Sequence, residues 1–159
     1  DLVVITTADW QSEAILWEAK SNGTTWSLLQ AWSEPHAQAG HALFAPPGVF
    51  DARGLFTENG DFKYKLTEWP QGGVVDLPAC GESFIPGGYI GVINIASMVS
   101  QVALRVLNGR AHSSNWVSSI NSPHDVALLG GKYLGPELPT GMQQVQLERD
   151  WLEKLESIQ

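Results

Sequence analysis

From Tyr89 to Leu107 the chain carries a single charge, Arg105, and any fold must find a place for that segment. About 20 apolar residues suffice to cross a bilayer, so a membrane span is the first reading to test. Asn94, Ser97, Ser100, Gln101 and Arg105 interrupt the run, and an arginine deep in a bilayer costs about 2.5–3.5 kcal/mol even on the lenient insertion scale. A core helix fits better, and no membrane is expected as a partner. At 1.5 Å per residue the stretch between Gly88 and Asn108 makes a helix of roughly 30 Å, with Gly109 as its stop. A long buried helix of this kind belongs to a domain that also has a sheet to cover it.

The sheet is legible elsewhere. Leu2 to Thr7 is an apolar, β-branched run, the pattern of a parallel strand covered on both faces. Asp9 then stands where an N-cap belongs, and Glu13, Ala14, Ile15 and Ala19 outline a short helix that stops at Gly23. Trp26–Trp32 and Ala39–Ala45 predict two more strands across Ser33-Glu34-Pro35-His36. Asn59-Gly60 predicts a small peripheral hairpin between Leu55-Phe56 and Phe62–Leu66. The prolines and paired glycines from Glu68 to Gly88 read as loop. Asn115–Ile120 and Val126–Leu129 read as late strands, and 143–157 as a helix whose apolar face could pack on a neighbour.

A chain of 159 residues with 43% apolar content has the size of one domain, 1–159, of α/β class. Nine Lys and Arg against 17 Asp and Glu give a formal charge of −8, which repels phosphates, so nucleic acid is not an expected partner. One cysteine, Cys80, cannot form an intramolecular disulfide, and a cytoplasmic home is the simplest expectation. The seven tryptophans are expected to pack the core rather than stack on bases.

Two residues stand out for chemistry. Asp9, after a strand and before a helix, lies at the carboxyl edge where open α/β sheets bind ligands. Its carboxylate suits either a magnesium ion beside a nucleotide phosphate or simple capping. Cys80, in Leu77-Pro78-Ala79-Cys80-Gly81-Glu82-Ser83-Phe84-Ile85-Pro86, precedes the long helix and reads as either a nucleophile or a small buried hydrophobe. His36, His41, His112 and His124 do not have metal-ligand spacing, and His36 and His41, at a turn and a strand end, are expected to be exposed. No serine has a nucleophile-elbow context, and no Gly-rich phosphate loop of the dinucleotide or Walker type occurs in the sequence.

Taken together, several segments resemble the ThiF, MoeB and ubiquitin-activating E1 superfamily of adenylating enzymes. Asp1–Trp10 looks like the strand that ends in the family's magnesium and adenylate aspartate, which maps onto Asp9, with Trp10 in place of the usual asparagine. Gln30–Ala42 is similar to the paired strands that follow, in the flavour of bacterial antiphage (CBASS-type) E1-like proteins. Pro78-Ala79-Cys80, followed by Phe84-Ile85-Pro86-Gly87-Gly88 and the long helix, looks like the crossover loop that carries the thioester-forming cysteine. The resemblance covers roughly residues 1–120.

It implies the C-terminal half of a Rossmann-like E1/ThiF adenylation domain, a mixed sheet with a long buried helix, whose ATP-binding half lies upstream of Asp1. The implied cofactors are ATP and Mg²⁺, bound in part through Asp9, with Cys80 as the catalytic thiol. Many relatives hold structural zinc on two Cys-x-x-Cys pairs, and 48–54 has no cysteine where the first would fall, which argues against zinc here. The implied partners are a ubiquitin-like modifier or target C-terminus, an E2-like conjugating domain and a second copy in a homodimer. The alternative is a non-catalytic dimerisation or peptide-docking module built on the same fold.

Overall fold

The computed structural model describes residues 1–76, 83–84, 87–111, 113–138 and 144–156. A mixed five-stranded sheet organises them, in the spatial order β1 (Leu2–Ile5), β2 (Ser27–Ser33), β3 (Ala39–Ala45), β7 (Asn115–Asn121) and β9 (Gln144–Arg149). β1 pairs β2 in parallel, as a β-α-β unit requires, through α1 (Trp10–Ser21); every other neighbour in the sheet is antiparallel. Between β3 and β7 the chain makes the short strands β4 (Thr67–Glu68), β5 (Val75–Asp76) and β6 (Ser83–Phe84) and the long helix α2 (Tyr89–Leu107). Helix α3 (Pro123–Leu128), β8 (Lys132–Tyr133) and α4 (Trp151–Glu156) complete it; β8 pairs β4, and β5 pairs β6.

Period-2 alternation divides the core into two layers. Leu28, Leu43 and Trp116 face α1, α4 and the 50–64 segment, where Trp17, Phe56, Phe62 and Trp151 join them. Leu29, Ala31, Ala42, Phe44 and Val117 face the other way, toward Ile95, Met98 and Val102 of α2. β3 is buried along its whole length, so it forms the centre of the domain. The tryptophan expectation holds: Trp17, Trp116 and Trp151 are enclosed.

α2 has the predicted length and the predicted stop, with Gly109 at φ +65°, but it is not a buried helix. Gly91, Ile95, Met98 and Val102, at helical spacing, seat on the sheet, whereas Tyr89, Ile90, Val92, Ile93, Leu104 and Leu107 are exposed. A helix on a single sheet can bury only the stripe that faces it, and among the described residues nothing lies over the opposite stripe. By length and composition this is a helix that could cross a membrane. Its close seating depends on two glycines: a Cβ at Gly40 would meet Ile95 at 2.5–2.7 Å, and one at Gly91 would overlap the Ala37 carbonyl.

Four other expectations change. β1 is an edge strand with Val4 exposed, not a strand covered on both faces. The Asn59-Gly60 turn closes a single bridge, Phe56 to Phe62, and is central rather than peripheral, since both rings are buried. Residues 126–128 belong to a helix, with Leu129 as its C-cap, because Ser122 caps its start and Pro123 takes its first position, where a missing N–H is harmless. Of the 143–157 segment, whose two end residues lie outside the described ones, 144–156 splits into a strand and a helix at Asp150, whose Oδ1 accepts from Leu152 N–H at 2.9 Å and Ser114 Oγ at 2.5 Å; α4 packs into this chain's own core through Trp151.

Candidate functional site

Where β1 and β2 end, the chain leaves the sheet through Thr6 and Ala8 on one side and Ser33 on the other, and a cleft of about 470 Å³ opens against α2. Its walls are Ala8, Ala31, Val92, Ile95 and Val99, with the hydroxyl-bearing Thr6, Ser33 and Ser100 among them. Ala8 adopts the left-handed region, φ +54°, a conformation that costs a non-glycine residue about 1–2 kcal/mol and that turns the strand end into the helix entry. The carboxyl ends of parallel strands are where α/β sheets leave room for ligands. Among the described residues no charged side chain lines this cleft, so it suits the apolar or uncharged part of a ligand.

Asp9 lies beside the cleft, not in its wall. It is the N-cap of α1: its Oδ2 accepts from the Ser12 N–H at 3.3 Å and from the Ser12 hydroxyl. The Ser12 hydroxyl, helped by the N–H groups of Ser12 and Gln11, holds the Asp9 carboxyl below its ordinary range against an opposing desolvation. An exposed, ionised carboxylate can meet a phosphate-bound Mg²⁺ as one ligand, since that ion keeps most of its other ligands from water and phosphate. Among the described residues no group of three His, Cys, Asp or Glu side chains comes together to hold a metal. Trp10 turns inward, its ring 4.7 Å from that of Phe56, so the residue after Asp9 contributes packing.

Cys80 lies outside the described residues, and the structure places only what flanks it. β5 and β6 pair as Val75 with Phe84 and Asp76 with Ser83, and residues 77–82 connect them. Beyond β6, Gly87 bridges in parallel to His36, at the turn after β2. The chain then enters α2, whose Gly91 abuts Ala37. The segment that follows Cys80 therefore returns to the same end of β2 that borders the cleft. His112 also lies outside the described residues.

Of the described histidines, His124 on α3 is exposed, whereas His36 is half-buried and His41 is buried. His36 stacks on Trp69 at 4.2 Å. His41 is wholly buried, stacked on Trp32, with Nε2 2.7 Å from Glu34 Oε1 and Nδ1 2.9 Å from Ser118 Oγ. Trp116 Nε1, which can only donate, approaches the same Nδ1 at 3.2 Å. Nδ1 is therefore the acceptor of the Trp116 N–H, and Nε2 donates to Glu34. Glu34 also accepts the N–H of Leu66 at 2.6 Å, the N–H of Thr67 at 2.7 Å and the Thr67 hydroxyl at 2.5 Å. Burial pushes the Glu34 carboxyl up, but the donors from His41, Thr67 and Leu66 outweigh it and leave it below the ordinary value.

A serine, a histidine and a carboxylate in line have the parts of an acyl-transfer triad. Ser118 and His41 are at most 1% exposed, so no substrate reaches them. The network instead holds the 66–69 segment to the turn after β2. Sequence reasoning missed it because Glu34 lies at a turn and His41 near a strand end, where exposure is the rule; the available signal was an acid and a histidine within a tryptophan-rich chain.

α1 shows the same inversion. Its inner face carries Glu13, Trp17 and Lys20, while Ile15 is exposed. Gln30 donates to Glu13 Oε2 and accepts from Trp17 Nε1, both at 2.6 Å. Lys20 Nζ reaches Thr24 Oγ1, the Trp26 carbonyl and the Pro46 carbonyl at 2.7–3.0 Å; burial pulls its pKa below the ordinary lysine value.

No protein-family model, no curated protein and no solved structure matches this chain. The fold itself defines a mixed α/β protein with a five-stranded mixed sheet, and its function has to be argued from the site.

Proposed function

We propose that this chain contributes the second half of an E1-like adenylating domain, which activates the C-terminal carboxylate of a small protein modifier with ATP and captures it on Cys80. The observation that supports this most is the placement of the β1-α1-β2 unit: its carboxyl ends border a cleft walled by α2, and the segment after Cys80 returns to that same end before entering α2. In this reading the carboxylate attacks ATP, releasing pyrophosphate and forming an acyl adenylate. The Cys80 thiolate then attacks the acyl carbon, giving a thioester and releasing AMP. Asp9 would supply one carboxylate toward Mg²⁺ on the phosphates, and the apolar cleft would take the uncharged part of the ligand. A phosphate-cradling glycine loop, which this sequence lacks, would come from an upstream half. Transfer to an E2-like cysteine, a homodimer and a cytoplasmic setting complete the proposal.

The test uses the intact protein. Cys80→Ala should abolish an ATP-dependent, thiol-labile acyl adduct while ATP–pyrophosphate exchange continues. An adduct that survives the substitution sinks the role of Cys80, and absence of exchange in the unaltered protein sinks the adenylating reading.

A second reading, a non-catalytic dimerisation or docking module, draws on the exposed stripe of α2, with Ile90 72% and Leu107 68% accessible. A Cys80 that resists alkylation in the folded protein would favour it.

A further inference from the structure

At the far edge of the sheet from β1, strand β9 pairs β7 on one side, and among the described residues no strand pairs its other side. Such an edge presents a row of backbone donors and acceptors that a further strand can complete. What distinguishes β9 is that a cleft flanks it on each face. On the face that carries Arg149, a cleft of about 930 Å³ lies between β9, α4 and the 63–66 and 134–136 segments. On the face toward α2, a second cleft of about 330 Å³ is walled by Met98, Val102, Leu104 and Arg105 together with Gln146. Glu148 borders both, so the two meet at the strand.

The clefts differ in chemistry. Four of the nine Lys and Arg of this acidic chain, Lys63, Lys65, Arg149 and Lys154, line the larger one. Lys63 spends a hydrogen bond on the Gly54 carbonyl, a neutral partner, Lys65 pairs with Asp61 at 2.8 Å, and Arg149 and Lys154 lie on the Trp116 and Tyr64 rings at 4.9 and 5.3 Å. Among the acids of that wall, Glu148 is already engaged by Arg105 at 3.2 Å and by Asn115, and Asp150 by Ser114 and the Leu152 N–H. Glu153 and Asp150 leave carboxylates between the cations, which disfavours a contiguous polyphosphate and favours single, spaced carboxylates. The smaller cleft has an apolar floor of Met98, Val102 and Leu104 with Gln101, Arg105, Gln146 and Glu148 around it, and Leu104 is exposed.

A strand added beside β9 would direct successive side chains to opposite faces, hence alternately into the basic cleft and onto the apolar floor of the smaller one. We propose that the β9 edge binds an extended peptide in which acidic and aliphatic residues alternate. Backbone pairing supplies affinity, and the two clefts select the side chains, as in strand addition generally. This inference does not rest on the adenylating reading, because neither Asp9 nor Cys80 takes part.

The test is fluorescence anisotropy of the intact chain with a labelled ten-residue peptide alternating glutamate and valine. Three controls accompany it: lysine in place of glutamate, a scramble of the same composition that groups the glutamates together, and N-methylation of alternate amides. Saturable binding that weakens with salt, and that is lost in all three controls, is expected. Lys63→Glu and Leu104→Asp, both at exposed positions, should each weaken binding about five- to tenfold with unchanged melting temperature. Equal binding of the lysine or N-methylated peptide, absence of binding at millimolar peptide, or indifference to both substitutions would overturn the proposal.

Discussion

Replacing Glu34 by glutamine exchanges one oxygen for an NH₂ group at nearly constant volume, so any effect must come from hydrogen bonding. Oε1 accepts from His41 Nε2 and the Leu66 N–H, and Oε2 accepts from the Thr67 N–H and hydroxyl. Whichever way the amide is turned, its NH₂ opposes a fixed backbone N–H, of Leu66 or of Thr67. A buried donor left without an acceptor costs about 1–3 kcal/mol. The remaining bonds lose their ionic partner and weaken from the charged toward the neutral range, about 1 kcal/mol more in sum. His41 cannot relieve the conflict by moving its proton, because Trp116 Nε1 already donates to Nδ1.

The expected destabilisation is therefore about 2–4 kcal/mol, or a fall in Tm of about 4–16 °C for a domain of this size. Urea unfolding followed by tryptophan fluorescence measures it, with an unchanged m value as the check on two-state behaviour. Adding Trp116→Phe frees Nδ1 to carry the proton, and a double-mutant cycle should recover about 1 kcal/mol. A Glu34→Gln variant within about 0.5 kcal/mol of the parent, or a cycle without coupling, would refute the tautomer assignment and with it the account of this network. The same carboxylate predicts acid lability. Its folded pKa lies below the ordinary 4.5, so its contribution is fully present above that value and is lost as pH falls through the folded pKa, a loss that Glu34→Gln should not show.

Lys20→Met removes the donor shared by Thr24, Trp26 and Pro46; Thr24 Oγ1 can still serve the Trp26 carbonyl, but the Pro46 carbonyl cannot be satisfied, and a loss of about 1–3 kcal/mol is expected by chemical denaturation. In the native protein Lys20 should also be among the last lysines to react with an amine reagent, read by peptide mass mapping; early modification would contradict its enclosure. Gly91→Ala would drive a methyl group into the Ala37 carbonyl, so the N-terminal turn of α2 should lift, with a loss of about 1–3 kcal/mol and faster amide exchange in that turn than elsewhere in the helix. Asp9→Ala should lower stability as a lost N-cap, read as a fall in Tm, and Asp9→Asn or Asp9→Ser should restore it; in the intact protein, nucleotide-dependent activity that stays lost in those two variants would separate a ligand role from the cap.

Elements whose character is written in nearest neighbours were legible in the sequence. α1 was marked by Asp9 and Gly23, α2 by its apolar run and Gly109, and β3 by an apolar stretch with no other way to be covered. The segments read wrongly were those where local and global signals compete. Val126–Leu129 has strand composition, but Ser122-Pro123 starts a helix; 143–157 shows helical spacing only because Val145 and Leu147, two apart on a strand, run on into Trp151, Leu152 and Leu155 of α4.

The sequence by itself determined the α/β class, the long helix, the single cysteine ahead of it and the acidic surface, because these follow from composition, periodicity and capping within a few residues. The tertiary structure decided which polar side chains are inside. Glu13, Lys20, Glu34 and His41 carry no local mark of burial, and each is buried because partners distant in the chain complete its hydrogen bonds: Gln30 for Glu13, Pro46 for Lys20, Leu66 and Thr67 for Glu34, Ser118 and Trp116 for His41. It decided too that α2 is covered on one face alone and that both edges of the sheet, β1 and β9, lack a further strand among the described residues. Pairing at long range depends on where the backbone brings distant groups together, and a pattern read along the chain does not contain that distance.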